Sequence, residues 1–208
     1  MNEKFEVYDI RIRGILRMEN ITIRTARMED VKELLDIYGY YVKNTAVTFE
    51  YEVPTLEEFE NRISDILEKY PYLVAESDEG IVGYAYAGRY HPRAAFAWSA
   101  EMAIYLKKDI RQSGIGRMLY TRLEEILKKQ GVVKTIAHIT MPIDEYSDFN
   151  SMQFHEKVGY RIAGKFENIG YKFGRWYSTI WMDKMIGVPG ERMETVKNFE
   201  EVRAKFQL

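Results

Sequence analysis

Met102-Ala103-Ile104-Tyr105-Leu106, then Lys107-Lys108-Asp109-Ile110, then Arg111-Gln112-Ser113-Gly114-Ile115-Gly116 is the stretch on which the fold turns. Its first part alternates as a strand does, and Met118, Leu119, Leu123, Ile126 and Leu127 beyond it recur at helical spacing. A strand that ends in a glycine-bearing turn and opens a helix makes an anion cradle. Gly114 and Gly116 let the backbone approach a ligand, and the first-turn amides of the following helix have no internal acceptors. The same glycine pair also reads as a tight turn or helix cap, and spacing alone leaves both readings open. No Gly-Lys-Ser/Thr follows, and the third glycine of the dinucleotide fingerprint is missing, which excludes the P-loop and the Rossmann turn. Arg111 adds a charge suited to a phosphate.

Working outward, Ile21 to Ala26 alternates as a first strand, and Asp30 to Tyr38 follows with helical spacing. Thr55 and Glu58 have the spacing of a capping box, and Leu56, Phe59, Ile63, Ile66 and Leu67 mark one helical face ending before Pro71. Tyr72 to Glu76 and Ile81 to Ala87 flank the polar turn Ser77-Asp78-Glu79-Gly80, a hairpin pattern. A strand from about Ala97 to Leu106 comes next, after the cationic, aromatic loop Gly88-Arg89-Tyr90-His91-Pro92-Arg93. The helix beyond the glycine turn ends at about Gln130, and Val132 to Ile139 is a strand. That strand-helix-strand unit predicts a parallel or mixed α/β architecture. Asn150 or Ser151 caps a short helix with Gly159 at its end, and Tyr160 to Phe166 and Trp176 to Met185 are the final strands across a Gly-rich turn.

Thirty basic against thirty-two acidic residues leave a formal charge of −2, so nothing global favours nucleic acid or an anionic membrane. With no cysteine there is no disulfide framework, thiolate nucleophile or cysteine metal site, in keeping with a reducing compartment. The N-terminal residues lack the apolar run of a signal peptide, and no segment supplies an uninterrupted membrane-length apolar run. The expectation is a cytoplasmic protein without membrane or nucleic-acid partners. Sixteen tyrosines exceed what a minimal core demands and suit a cleft or a subunit contact.

The order of a strand with Glu101, Arg111-Gln112-Ser113-Gly114-Ile115-Gly116, a helix, a strand and Phe154-His155-Glu156-Lys157-Val158-Gly159-Tyr160 resembles the GCN5-related N-acetyltransferase (GNAT) superfamily. More narrowly it is similar to the phosphinothricin and methionine sulfoximine acetyltransferases, through Thr48-Phe49-Glu50, Tyr70 to Ala75, Gly83 to Gly88, Tyr120 and Gly170 to Trp176. The resemblance implies an N-acetyltransferase domain at 20–186, between an N-terminal extension (1–19) and a charged C-terminal extension (187–208). Val196, Phe199, Val202 and Phe206 make an apolar helical stripe on the latter. It also implies an α/β (α+β) fold with a mixed, strongly twisted sheet that splays open around acetyl-CoA, and a homodimer.

By that resemblance the pyrophosphate meets Arg111, Gln112, Ser113, Gly114, Ile115 and Gly116, with Arg117 and Ser151 beside it. The pantetheine arm runs along Ala103, Ile104 and Tyr105, and an amide near Ile104 faces the developing oxyanion. An unprotonated amine attacks the thioester directly, with no metal. Glu101 interrupts an apolar strand, where a carboxylate needs solvent or a polar cleft. It falls in Trp98-Ser99-Ala100-Glu101, similar to the family's Trp-Thr-Val-Glu, which makes it the expected base; a strand-edge or salt-bridge role is the alternative. His155 is the second expected catalytic residue, protonating the thiolate or ordering a water, against a purely structural helix histidine. Phe49, Glu50, Tyr90, Arg93 and Trp98 are expected to bind the substrate, a small amine, with Tyr171 or Lys172 contributed by another subunit. Gly39, Ala97, Ser178 and the segment Pro142 to Phe149 depart from the family pattern, and they touch the acceptor more than the CoA half. Another amino acid or a polyamine as acceptor, and a non-catalytic CoA-binding sensor, are the competing expectations.

Overall fold

The computed structural model describes residues 21–110, 113–147 and 150–206. One seven-stranded sheet runs in the order β1-β2-β3-β4-β5-β7-β6. Its strands are β1 (Thr22–Thr25), β2 (Tyr72–Ser77), β3 (Gly80–Arg89), β4 (Ser99–Leu106), β5 (Lys134–Thr140), β6 (Arg161–Lys172) and β7 (Arg175–Met185). The helices are α1 (Val31–Asn44), α2 (Leu56–Leu67), α3 (Ile115–Gln130), α4 (Asn150–Lys157) and α5 (Phe199–Arg203).

Strand alternation sends side chains to two separate cores. Leu34, Ile37, Tyr38, Phe59 and Ile63 of α1 and α2 pack on Tyr72, Val74 and Tyr84. On the other face Leu119, Leu123, Ile126 and Leu127 of α3 pack on Leu73, Ala85, Ala100, Met102, Ala137 and Ile139. The Thr55–Glu58 capping box forms, with the Glu58 amide donating to Thr55 Oγ1 (3.2 Å) and the Thr55 amide to Glu58 Oε2 (2.8 Å).

Every strand pair is antiparallel except β4 with β5, which run parallel as the strand-helix-strand reading requires. These two pair at only three positions, Ser99 with Lys134, Ala100 with Thr135 and Glu101 with Ile136. Beyond Glu101 they part, and among the described residues the edge of β4 from Met102 to Leu106 has no partner strand on the β5 side. That wedge is the expected splay, and it lies at the carboxyl ends of two parallel strands, where open α/β sheets take their ligands.

Three elements differ from the sequence reading. Helix α1 runs on to Asn44, because Gly39 packs against Val53 within the helix rather than ending it, and Val42 continues the buried face. Strand β6 runs to Lys172, leaving a two-residue turn at Phe173 (φ 50°) and Gly174 (φ 76°), the doubly positive geometry that closes a tight hairpin. Asn168 and Gly170, which read as turn residues, instead lie at a bulge where the register slips between Phe166 and Gly170. The C-terminal helix is short, yet Phe199, Val202 and Phe206 are buried in the α3 core. Gln130 Nε2 ties the segment down, donating to Lys69 O (2.7 Å) and Lys197 O (2.8 Å). Among the described residues no helix is long and apolar enough to cross a membrane.

Candidate active site

Gly114 caps α3 at φ +84°, a left-handed conformation that favours glycine, and among the described residues no atom beyond its chain neighbours lies within 4 Å of where a Cβ would stand. The first helical hydrogen bond runs from the Met118 amide to Gly114 O (3.1 Å). The Ile115 amide meets Ser113 Oγ (3.4 Å), and the Gly116 and Arg117 amides point out of the helix end with no intrahelical acceptor. They open on a cavity of about 610 Å³ that Ile104, Ser113, Gly114, Gly116, Arg117 and Ser151 help to line, with Tyr40 and Tyr41 of α1 opposite. A Cβ on Gly116 would come within 3.0 Å of the Phe154 ring, so the glycine is what lets α4 close this cavity. The Ile115 side chain is fully buried in the α3 core and anchors the turn. Arg111 and Gln112 lie outside the described residues.

A second cavity of about 240 Å³ occupies the wedge itself and shares Val47, Ile104 and Ser151 with the first. Glu101, Ala103 and Tyr105 of β4 wall it with Tyr86 of β3, His138 and Thr140 of β5, Thr179 of β7, and Phe49 of the loop after α1. Because the strands have parted, Tyr120 and His155 reach it from the opposite face of the sheet. Glu101 is the last rung of the β4–β5 ladder, and burial raises the pKa of its carboxyl above the ordinary range. Among the described residues no cluster of His, Asp and Glu is arranged to hold a metal ion.

His155 is 3 % exposed, and burial lowers its pKa to about 4, so it is neutral at physiological pH. Its Nδ1 lies 2.7 Å from Ser151 O, which can only accept, so Nδ1 carries the hydrogen. Nε2 is therefore the acceptor, and the Tyr120 hydroxyl donates to it across 2.9 Å. The expectation for His155 is to protonate the leaving sulfur or to order a water. Its one N–H is committed to the helix backbone, and the hydrogen facing the cavity belongs to Tyr120. Tyr120 was legible only as part of the family pattern, and helical spacing puts it on the Gly116–Leu123 face without disclosing its partner.

Residues 45–50 bridge the two halves of the splayed sheet. Thr140 Oγ1 donates to Ala46 O (2.6 Å), the Ala46 amide to Tyr146 O (2.8 Å), and the Tyr38 and Thr48 hydroxyls meet at 2.9 Å. Lys172 completes the attachment. It is 2 % exposed, and its ammonium donates to Val42 O, Thr45 O and Thr48 O, each at 2.8 Å. Burial lowers its pKa to about 8, which still leaves three donors for three carbonyls at neutral pH. Lys172 therefore serves its own chain's loop, an arrangement that sequence could not foresee. Phe49 is seated against Gly170, where a Cβ would stand 2.5 Å from the ring.

The remaining expected substrate residues stand outside the cavity walls. Trp98 Nε1 donates to Glu194 O (2.9 Å), latching the C-terminal segment to the start of β4. Glu50 is paired with Arg62 (2.6 Å). Tyr90 packs edge-on against Trp181, and Arg93 is exposed on the same loop. Tyr171 is exposed on β6, and its carbonyl accepts from the Tyr51 hydroxyl.

A parallel strand pair that parts above a helix N-terminus, with one cavity facing the free amides and another facing a half-buried carboxylate, matches a known domain. Residues 23–181 match the family model described as an acetyltransferase (GNAT) domain. The chain belongs to the GNAT acetyltransferases. This acetyltransferase is 31% identical over 169 residues to the phosphinothricin N-acetyltransferase of Streptomyces viridochromogenes, covering 81% of this chain and 90% of that one. It is also 31% identical to the L-methionine sulfoximine/L-methionine sulfone acetyltransferase of Pseudomonas paraeruginosa, covering 77% and 92%. Among solved structures, the phosphinothricin acetyltransferase of Sinorhizobium meliloti in complex with acetyl-CoA superposes with a TM-score of 0.76 at 30% identity, covering 86% of this chain and 98% of that one. The enzyme is an N-acyltransferase with acetyl-CoA as its acetyl donor.

Proposed function

We propose that the enzyme transfers acetyl directly from acetyl-CoA to the amine of a small amino-acid-like acceptor of the phosphinothricin or methionine sulfoximine class. The observation that carries this reading is Glu101, half-buried at the point where β4 and β5 part, in a cavity that meets the donor cavity at Ile104. The pyrophosphate sits on the Gly116 and Arg117 amides, and the pantetheine arm lies along the unpaired edge of β4. An N–H of that edge near Ile104 stabilises the thioester oxygen as it becomes an oxyanion. Glu101 takes a proton from the acceptor ammonium, directly or through a water, and the nitrogen lone pair attacks the thioester carbon. The C–N bond forms, the C–S bond breaks, the electron pair leaves on sulfur, and the second proton of the nitrogen passes to that thiolate. The Tyr120 hydroxyl turns from His155 Nε2 to hydrogen-bond the thiolate. Its own acidity is suppressed by burial, so it stabilises that charge without giving up its proton.

A second reading has one observation in its favour. Among the described residues walling the acceptor cavity there is no Lys or Arg, which leaves carboxylate recognition to Arg93 on the exposed loop and suits an amine without a carboxylate, such as a polyamine. Release of free CoA thiol, with mass detection of the acetylated product across a panel of amino acids and polyamines, separates the two. Turnover confined to polyamines would overturn the amino-acid reading, and saturable CoA binding without turnover would overturn both.

The acetyltransferase unit is proposed to work in the cytoplasm as a homodimer. Edge strand β6 exposes Ile162, Phe166, Ile169 and Tyr171, and β7 adds Trp176, an apolar surface that a second copy would cover. Light scattering at assay concentration tests this, and a fully active monomer would refute it.

A further inference from the structure

Acetylation strips two protons from the acceptor nitrogen. One ends on the CoA sulfur and the other must reach solvent, and Glu101 must lose it before the next turnover. The acceptor cavity has six titratable side chains among its described walls: Tyr86, Glu101, Tyr105, Tyr120, His138 and His155. Of these only His138 is exposed. His155 is already engaged on both ring nitrogens, by Ser151 O and the Tyr120 hydroxyl, whereas no described residue hydrogen-bonds a ring nitrogen of His138.

Position supports a link between Glu101 and the mouth. Glu101 pairs with Ile136 across the parallel ladder, and His138 lies two residues further along β5, so it shares Glu101's face one step toward the open end. A diagonal neighbour across strands stands at roughly 7–8 Å before any splay, which is the span of a bridging water and not of a direct hydrogen bond. The imidazole is held in place, since its ring stacks on Trp181 at 4.2 Å with an interplanar angle of 5°, and Tyr90 packs edge-on against the far side of the contact at 5.9 Å from Trp181.

We propose that His138 is the outlet of the acceptor-side proton path, taking the proton from Glu101 through a water and releasing it to bulk buffer. This rests on the reading of Glu101 as the base. No covalent change occurs at His138: one ring nitrogen gains a proton as Glu101 loses it, and the imidazolium then gives it to solvent. Partial burial lowers the pKa of His138, which favours release. The groups facing it are compatible. From β4 there are Glu101 and, further along the strand, Tyr105, and from β7 the stacked Trp181, with Thr179 before it and Asp183 beyond, whose carboxylate is held by Lys134 (2.6 Å) and Arg161 (3.2 Å). Tyr86 faces it from β3, and the loop after α1 presents Val47, Thr48 and Phe49, with Glu50 paired to Arg62. Tyr90, with His91 packed on it, approaches through Trp181.

The test is the pH profile of kcat in dilute non-imidazole buffer for His138→Phe, which keeps a ring on Trp181 and removes both nitrogens, with His138→Gln as the variant to use if Phe does not fold. The expected result is a fall in kcat of about fivefold or more below neutral pH, an unchanged KM for acetyl-CoA, and recovery as imidazole is added to the buffer. Glu101→Gln is measured beside it. The double variant is expected to be no slower than Glu101→Gln alone, since both groups lie on one path. A full rate and unaltered profile for folded His138→Phe, with Glu101→Gln slow, overturns the outlet while the base stands. A slow His138→Phe that imidazole does not restore also overturns it, since that loss comes from packing. A Glu101→Gln variant at full rate overturns the base itself.

Discussion

The donor and acceptor halves of the cleft are built by different means. The donor half is walled by α1 and α4 as well, yet the binding groups proposed for it come from neighbours in sequence, the unpaired edge of β4 and the first amides of α3. The acceptor half is made of side chains from β3, β4, β5, β7, α3, α4 and the loop after α1. The contrast teaches that the donor half depends on the shape of the chain and tolerates changes in side chain, whereas the acceptor half can be retuned one residue at a time with acetyl-CoA binding intact.

The sharpest way to break that contrast is at Glu101. Glu101→Gln should slow single-turnover acetyl transfer about hundredfold at neutral pH, with acetyl-CoA affinity unchanged by calorimetry. The sign with pH follows from its raised pKa. Wild-type activity is lost as pH falls through the elevated carboxyl range, because the protonated form accepts nothing, and in the variant rising pH partly restores the rate by freeing the amine. Equal losses of rate and acetyl-CoA binding would mean that the halves are not separable.

Gly114→Asp tests the other half. A carboxylate at the helix N-terminus opposes the phosphates, and the left-handed φ strains the turn, so acetyl-CoA should bind about thirtyfold more weakly. A folded variant that binds acetyl-CoA normally in calorimetry would remove the cradle from the account.

Lys172→Met probes the loop that bridges the halves. Three carbonyls lose their donor, which should cost about 3 kcal/mol in denaturant unfolding. The acceptor KM should rise about fivefold through a displaced Phe49, with acetyl-CoA binding held. The smallest effect is expected at Trp98→Phe, which removes one hydrogen bond to Glu194 O and should lower stability by about 1 kcal/mol. Its acceptor kinetics should match wild type, and a raised acceptor KM would return the indole to the cleft.

Much of the frame was legible because it is written in local pattern. The Thr55–Glu58 cap, the α3 apolar face and the parallel strand pair around the glycine turn each follow from residues close in sequence. Where reading failed, a local signal had a distant cause. Asn168 and Gly170 look like a turn, yet the glycine is there for the Phe49 ring, far earlier in the chain. Trp98 looks like a cleft residue, yet its partner is in the C-terminal segment. Lys172 looks like a residue offered to a second subunit's cleft, yet it caps carbonyls from Val42 to Thr48.

By itself, then, the sequence determined the order of strands and helices, the glycine-bearing helix start and a carboxylate at Glu101, because alternation, helical spacing and backbone freedom act between near neighbours. Only the tertiary structure decided that the β4–β5 ladder ends at Glu101, that Tyr120 donates to His155, and that His138 stands at the mouth while Trp98 and Lys172 turn elsewhere. Those outcomes depend on which distant side chains share a buried space, and burial and hydrogen-bond partnership are properties of the packed molecule.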